Sequence, residues 1–140
     1  MSAIHHIDLA HTSGMTFTIT QDGHKYLVDA HKENGGEDNG PAPKALILSA
    51  LAGCTAMDIV SLLNKMKADY TDFSISVDGT LTEEHPKIYH QVNLVYKIKI
   101  DSEEDRAKMI KSVELSQTKY CGVAAMVRSF ATLHYEIVYL

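Results

Sequence analysis

The sequence has no tryptophan, only two cysteines and only three prolines in 140 residues. Two cysteines at positions 54 and 121 are too few for a disulfide-stapled secreted scaffold. The opening stretch, MSAIHHIDLAHTSGM, lacks the basic and apolar regions of a secretory signal, which places the expected location in the cytoplasm. Basic residues are neither in excess nor clustered: 13 Lys and Arg face 18 Asp and Glu, a net charge of −5. Without a basic face, nucleic acid is disfavoured as a partner and none is expected. No glycine-rich phosphate-binding fingerprint occurs. The longest apolar run, Ala45 to Leu63, is interrupted by Ser49, Thr55 and Asp58. An aspartate at mid-membrane is costly, so this run reads as a buried helix and no membrane is expected as a partner.

What is present is globular. Hydrophobic residues make up 45% and charged residues 22%, values that separate the chain from disordered sequences. The length fits a single domain over residues 1–140. Met15, Phe17 and Ile19 alternate with threonines, the period of a half-buried strand, and Gln21-Asp22-Gly23 then turns the chain into a second strand over Lys25–Ala30. A weaker strand is expected near Ile4–Leu9. The polar, glycine-containing stretch His31–Pro41 reads as a connector.

A long helix is expected from Pro43 to about Lys67. Its apolar surface is broad: Leu46, Ala50, Cys54 and Met57 follow one face, and Ile47, Leu51, Ile59, Leu62, Leu63 and Met66 widen it. A helix apolar on most sides must be covered on most sides, and the simplest cover is a second copy of the chain, an intertwined homodimer. Phe73, Ile75, Val77 and Leu81 then mark a strand. After His85-Pro86, the residues Ile88, His90, Val92, Leu94, Tyr96, Ile98 and Ile100 share the inner face of its antiparallel partner. Ser102-Glu103-Glu104-Asp105 is a capping box opening a helix that runs to about Lys119. A short helix over Val123–Phe130 and a final strand marked by Leu133, Tyr135, Ile137 and Tyr139 complete the order β-β-β-α-β-β-α-α-β, an α+β fold.

The chemistry-bearing residues are few. Cys54 admits two readings, an inert buried thiol, which is the commoner fate of a free cysteine, and a reactive one. Asp58, one helical turn on, works against a thiolate unless a cation such as Arg128 offsets it. Cys121 sits where a helix begins, and the N–H groups there favour a thiolate. Neither cysteine lies in a CxxC pair, so spacing gives no zinc signature. His5, His6, Asp8 and His11 are dense along the chain, but neighbours on a strand point to opposite sides and do not share a metal.

Two segments carry a family resemblance. Gly40-Pro41-Ala42-Pro43-Lys44-Ala45-Leu46-Ile47-Leu48-Ser49-Ala50-Leu51-Ala52-Gly53-Cys54 resembles the helix that leads to the first cysteine in OsmC/Ohr proteins. Thr118-Lys119-Tyr120-Cys121-Gly122-Val123 resembles their second-cysteine segment, and the element order agrees. The resemblance implies an OsmC-like fold, an N-terminal β-meander and a long central helix in an intertwined dimer, with sites at the interface. It implies reduction of organic hydroperoxides, with Cys54 as the peroxidatic thiol, Cys121 as the resolving one, a cellular dithiol as reductant, and no metal or organic cofactor. The alternative on the same fold is a non-catalytic small-molecule-binding or structural stress-response dimer. The family's usual Glu after the proline is Lys44 here, and the Pro after the second cysteine is Gly122. Arg106 and Arg128 are the only arginines and neither lies in the N-terminal strands, where the family places its activating arginine. These departures imply slow turnover.

Overall fold

The first three strands, β1 (Ile7–Ser13), β2 (Thr16–Gln21) and β3 (His24–Val28), form an antiparallel meander in chain order. The structure, a computed structural model, describes residues 2–140. Asp22 and Gly23 both have positive φ, 52° and 78°, so the β2–β3 hairpin closes on a two-residue turn whose twist matches that of the strands. The expected alternation on β2 fails at its start. Met15 is exposed, whereas Thr16 and Ile19 are buried.

The reason is Asp29, just after β3. Its carboxylate accepts from Thr16 Oγ1 at 2.8 Å, from the Ala30 N–H at 2.7 Å and from the Asn39 N–H at 3.1 Å. The stretch His31–Pro41 is thus not a free connector. It makes one 3-10 turn (Lys32–Asn34) and folds back, with the Asp29 N–H donating to the Pro41 carbonyl and the Asp38 N–H to the Ala30 carbonyl. A Cβ at Gly36 would stand 1.8 Å from the Ala30 oxygen and one at Gly40 2.2 Å from the Leu27 oxygen, so the return needs glycine at both points.

Burial alone would raise the Asp29 carboxyl. Donation from Thr16 and from the Asn39, Ala30 and Glu37 backbone outweighs it and holds the group below its ordinary value. A folded pKa that is depressed stabilises the fold fully above the unfolded value, about 3.9, and that stabilisation is lost as pH falls through the folded value. We therefore expect Asp29→Asn to lower the melting temperature at neutral pH and the gap to wild type to narrow below about pH 4. A gap independent of pH would show that the carboxylate charge plays no part.

The contacts divide the chain into two compact units, one ending at Ile47 and one spanning Leu48–Leu140. The helix α1 (Leu46–Lys65) begins three residues after the proline, because Leu46 and Ile47 first bond back to Pro43 and Lys44 in a tighter turn. Just past its end the chain turns at Lys67, whose φ is 55°, and the Ala68 N–H returns to the Leu63 carbonyl. Its buried stripe is Leu51, Thr55, Ile59 and Leu63, one residue per turn. This is not the stripe expected from hydropathy alone, because a threonine lies at its centre.

The stripe packs in one core with Val92, Leu94, Tyr96, Ile98, Met109, Val113 and Val127. The second sheet has the order β4-β5-β6, built from β4 (Thr71–Leu81), β5 (Tyr89–Lys99) and β6 (Thr132–Tyr139). β4 and β5 are antiparallel, and β5 and β6 are parallel. The parallel pair requires a long crossover, which α2 (Glu103–Leu115) and α3 (Gly122–Arg128) supply. Ser102 caps α2 as its sequence foretold, accepting from the Asp105 N–H at 3.1 Å.

His90 departs from expectation. The register slips at the top of the hairpin, where Leu81 pairs with Tyr89 but Thr80 pairs with Gln91. One extra residue flips the alternation. Tyr89 turns inward, while His90 and Ile88 are exposed. The element order and α+β class agree with the sequence reading.

Candidate functional site

Both cysteines lie in the second unit, on elements placed by the crossover. Cys54 rides on α1 beside its buried stripe and packs against the core. After α2 the helix widens into a π-turn, Ser116–Tyr120, closed by the Cys121 N–H donating to the Ser116 carbonyl at 2.8 Å. Such widened turns occur often at functional sites. This one turns Ser116 and Gln117 inward and delivers Cys121 to the start of α3. The Cys54 and Cys121 sulfurs and a carboxylate oxygen of Asp58 then lie within 4.8 Å of one another.

A buried polar chain runs to this cluster. Ser116 Oγ donates to Asp58 Oδ2 at 2.9 Å. A hydroxyl has one proton, so Ser116 must accept in its 2.8 Å bond to Thr55 Oγ1, and Thr55 is the donor there. Thr55 in turn must accept in its 2.7 Å bond with the Tyr96 hydroxyl. Tyr96 accepts from Gln117 Nε2 at 2.6 Å, and Gln117 Oε1 accepts from Arg128. Arg128 also donates to the Gln117 carbonyl at 2.6 Å. The direction of every bond is fixed, from the guanidinium of Arg128 to the carboxylate of Asp58. Thr55, Tyr96 and Ser116 are fully buried, and no buried side-chain polar atom among the described residues lacks a partner. Arg128 stands at the far end of this chain and is joined to Asp58 only through it, without direct contact.

The helix field at Cys121 is real but loses. Cys121 caps α3, and its sulfur accepts from the Ala124 N–H at 3.3 Å. Burial nevertheless pushes the thiol up to about 11, with Cys54 and Asp58 adding to the rise against the pull of Ala124. Desolvation of a thiolate outweighs one amide donor here, so the helix field expected to favour a thiolate at Cys121 does not prevail. Removing a negative neighbour should lower this barrier. We expect Asp58→Asn to shift the thiol alkylation profile of the reduced protein to lower pH, measured with iodoacetamide. An unmoved profile would show that Ser116 already neutralises the carboxylate.

The remaining candidates stay apart. His6 bonds to Asp8 at 3.0 Å in an exposed position, and His11 bonds to the Gly14 carbonyl. Arg106 serves the fold, donating to the Ile100 carbonyl and lying 4.4 Å over the Tyr139 ring. Sequence reasoning passed over Thr55, Tyr96, Ser116 and Gln117. The available signal was a tyrosine set among Val92, Leu94, Ile98 and Ile100 on the inner strand face, since a buried hydroxyl needs a partner.

Comparison with known proteins agrees with this architecture. Protein YhfA of Escherichia coli is 34% identical over 128 residues, covering 89% of this chain and 92% of its own. An OsmC-like protein of unknown function from Vibrio cholerae superposes with a TM-score of 0.81 at 16% identity, covering 98% of this chain and all of its own. The organic hydroperoxide resistance protein OhrB of Bacillus subtilis superposes with a TM-score of 0.65 at 15% identity, covering 97% of this chain and 98% of its own. The profile of the OsmC-like protein family matches residues 35–136, a stretch that contains both cysteines and the whole polar chain between them. The chain therefore belongs to the OsmC-like family.

Proposed function

We propose that this protein is a thiol peroxidase that reduces organic hydroperoxides, with Cys54 as the attacking thiol and Cys121 as the resolving one. The observation that carries the reading is the placement of the two sulfurs within 4.8 Å on separate elements. The Cys54 sulfur attacks the outer peroxide oxygen, the O–O bond breaks, and the departing alkoxide leaves as the alcohol with the proton of the Cys54 thiol. Cys54 is left as a sulfenic acid. Cys121 then attacks that sulfur. Its own proton leaves with the sulfenic hydroxyl as water, and a disulfide remains. A cytoplasmic dithiol returns both residues to thiols. No organic cofactor enters these steps. A protonated Cys121 suits the second role better than the first, because it is called on only after Cys54 is oxidised.

The test is thiol loss under cumene hydroperoxide and under hydrogen peroxide. Both thiols should disappear together into an intrachain disulfide, faster with the bulky organic peroxide, and a dithiol should restore them. Survival of both thiols in excess organic hydroperoxide would instead favour a non-catalytic binding protein or a structural stress-response dimer.

The proposal includes a homodimer. By length and composition α1 is apolar enough to cross a membrane, with a mean hydropathy of 2.0, yet only 22% of that stretch is buried within the chain. Met57 is 76% exposed on it. Asp58, in the middle of the helix and tied to Ser116, speaks for protein rather than lipid as the cover. We expect light scattering to give twice 15.5 kDa at micromolar concentration and Met57→Lys to shift the population toward monomer. A wild-type monomer would refute this part of the reading.

A further inference from the structure

Cys54, Asp58 and Cys121 show no metal signature along the sequence, but the fold makes one of them. Among the described residues they are the one set of three side chains of metal-binding type whose donor atoms converge. In a tetrahedral zinc sphere, with Zn–S near 2.3 Å and Zn–O near 2.0–2.2 Å, donor atoms stand about 3.5–3.8 Å apart. The donors, within 4.8 Å of one another, need to draw together by no more than about 1 Å to reach that spacing. Two sulfurs and one carboxylate suit zinc, whereas magnesium and calcium demand oxygen donors.

Three features beyond the donors favour a built site. The carboxylate is oriented from behind, because Ser116 Oγ holds Asp58 Oδ2 and is itself fixed by Thr55 and Tyr96, leaving the other oxygen for a metal. Hydrogen-bonded outer partners of this kind set the geometry of metal-binding carboxylates. The Ala124 N–H fixes the Cys121 sulfur. A cleft of about 170 Å³, lined by Asp58, Ser61, Leu62, Lys65 and Tyr120, opens a path to the carboxylate.

We propose that the reduced protein binds one zinc ion per chain through the Cys54 and Cys121 sulfurs and the Asp58 carboxylate, with water in the fourth position. Binding releases the two thiol protons to solvent and changes no oxidation state. A disulfide between the cysteines removes two of the three donors, so zinc and peroxide compete for the same thiols. Zinc binding needs no peroxide chemistry and stands independently of the peroxidase reading.

The experiment uses reduced, metal-free full-length protein under anaerobic conditions. Zinc is titrated against a chromophoric chelator, and cobalt is used as a spectroscopic probe. The expected results are one metal per chain, tetrahedral cobalt bands in the visible with thiolate charge transfer in the near ultraviolet, and no uptake after oxidation to the disulfide. Asp58→Asn, which keeps both thiols, should weaken zinc by at least about 10-fold. Cys54→Ser and Cys121→Ser should each diminish the charge-transfer band. The proposal is overturned if the wild type takes up no metal while both thiols titrate as free, or if Asp58→Asn leaves affinity unchanged. Peroxide-driven disulfide formation without zinc uptake would refute only the zinc site, and zinc uptake without peroxide reaction only the peroxidase.

Discussion

Cys54→Ser is expected to abolish turnover of cumene hydroperoxide with a dithiol, a loss on the order of 100-fold or more, since removal of an attacking nucleophile leaves only background reaction. Cys121→Ser should behave differently. Its Cys54 should still react once, consuming one equivalent of peroxide, and then stall as a sulfenic acid that a dimedone trap detects by mass. The asymmetry follows from placement. Cys54 is partly exposed on α1, whereas Cys121 is buried at the start of α3 with its thiol raised to about 11. If Cys121→Ser is as inert to the first equivalent as Cys54→Ser, the roles are reversed or the pair does not act as a pair. Wild-type turnover is expected to be slow by comparison with chains that place an Arg–Glu pair at the thiol. Here Lys44 stands at the expected Glu position, and Arg128 acts on Asp58 only through four intervening side chains.

The order of elements was legible because each has a local signature: the Asp22-Gly23 turn after β2, a serine cap at Ser102, a period of two through Val92, Leu94, Tyr96 and Ile98. The two cysteines were legible as a pair through the family resemblance of their segments, and the fold brings them together. Three things were not legible, each because its cause is non-local. His90 was assigned to the wrong face because a slip in the pairing of Thr80 and Leu81 resets the alternation, and pairing register is not written in one strand. The segment after β3 was read as a connector because its anchor, Asp29, looks like any loop aspartate until Thr16 and Asn39 meet it. The polar chain was missed because Thr55, Tyr96 and Ser116 are far apart along the sequence and individually ordinary. Thr55 even sits in the most apolar helix of the chain, where periodicity assigns it no role.

That chain carries the second large expectation. Tyr96→Phe deletes a hydroxyl that accepts from Gln117 and donates to Thr55, in a fully buried position. The Gln117 amide is then left as a buried donor without an acceptor, and Thr55 loses the proton it accepted. An unsatisfied buried polar group costs about 1–3 kcal/mol. Thr55→Val, close in shape, leaves the Tyr96 O–H without an acceptor and Ser116 without its donor, with a cost in the same range of about 1–3 kcal/mol. Each single variant should therefore lower the melting temperature by several degrees, at about 2–4 °C for each kcal/mol in a chain of this size. The double variant is the decisive measurement. Removing both hydroxyls deletes the donor and acceptor of one bond together, so Tyr96 no longer points a proton at nothing. Its cost should fall short of the sum of the singles by about 0.5–3 kcal/mol. Gln117 and Ser116 remain deprived in the double variant, which keeps its total cost above zero. The same break cuts Arg128 off from Asp58, and Tyr96 itself lies within electrostatic reach of Cys121, so the alkylation profile of the cysteines should move in Tyr96→Phe. Strict additivity of the two substitutions would show that Thr55 and Tyr96 are not bonded in solution, and an unmoved thiol profile would show that Asp58 does not depend on the relay.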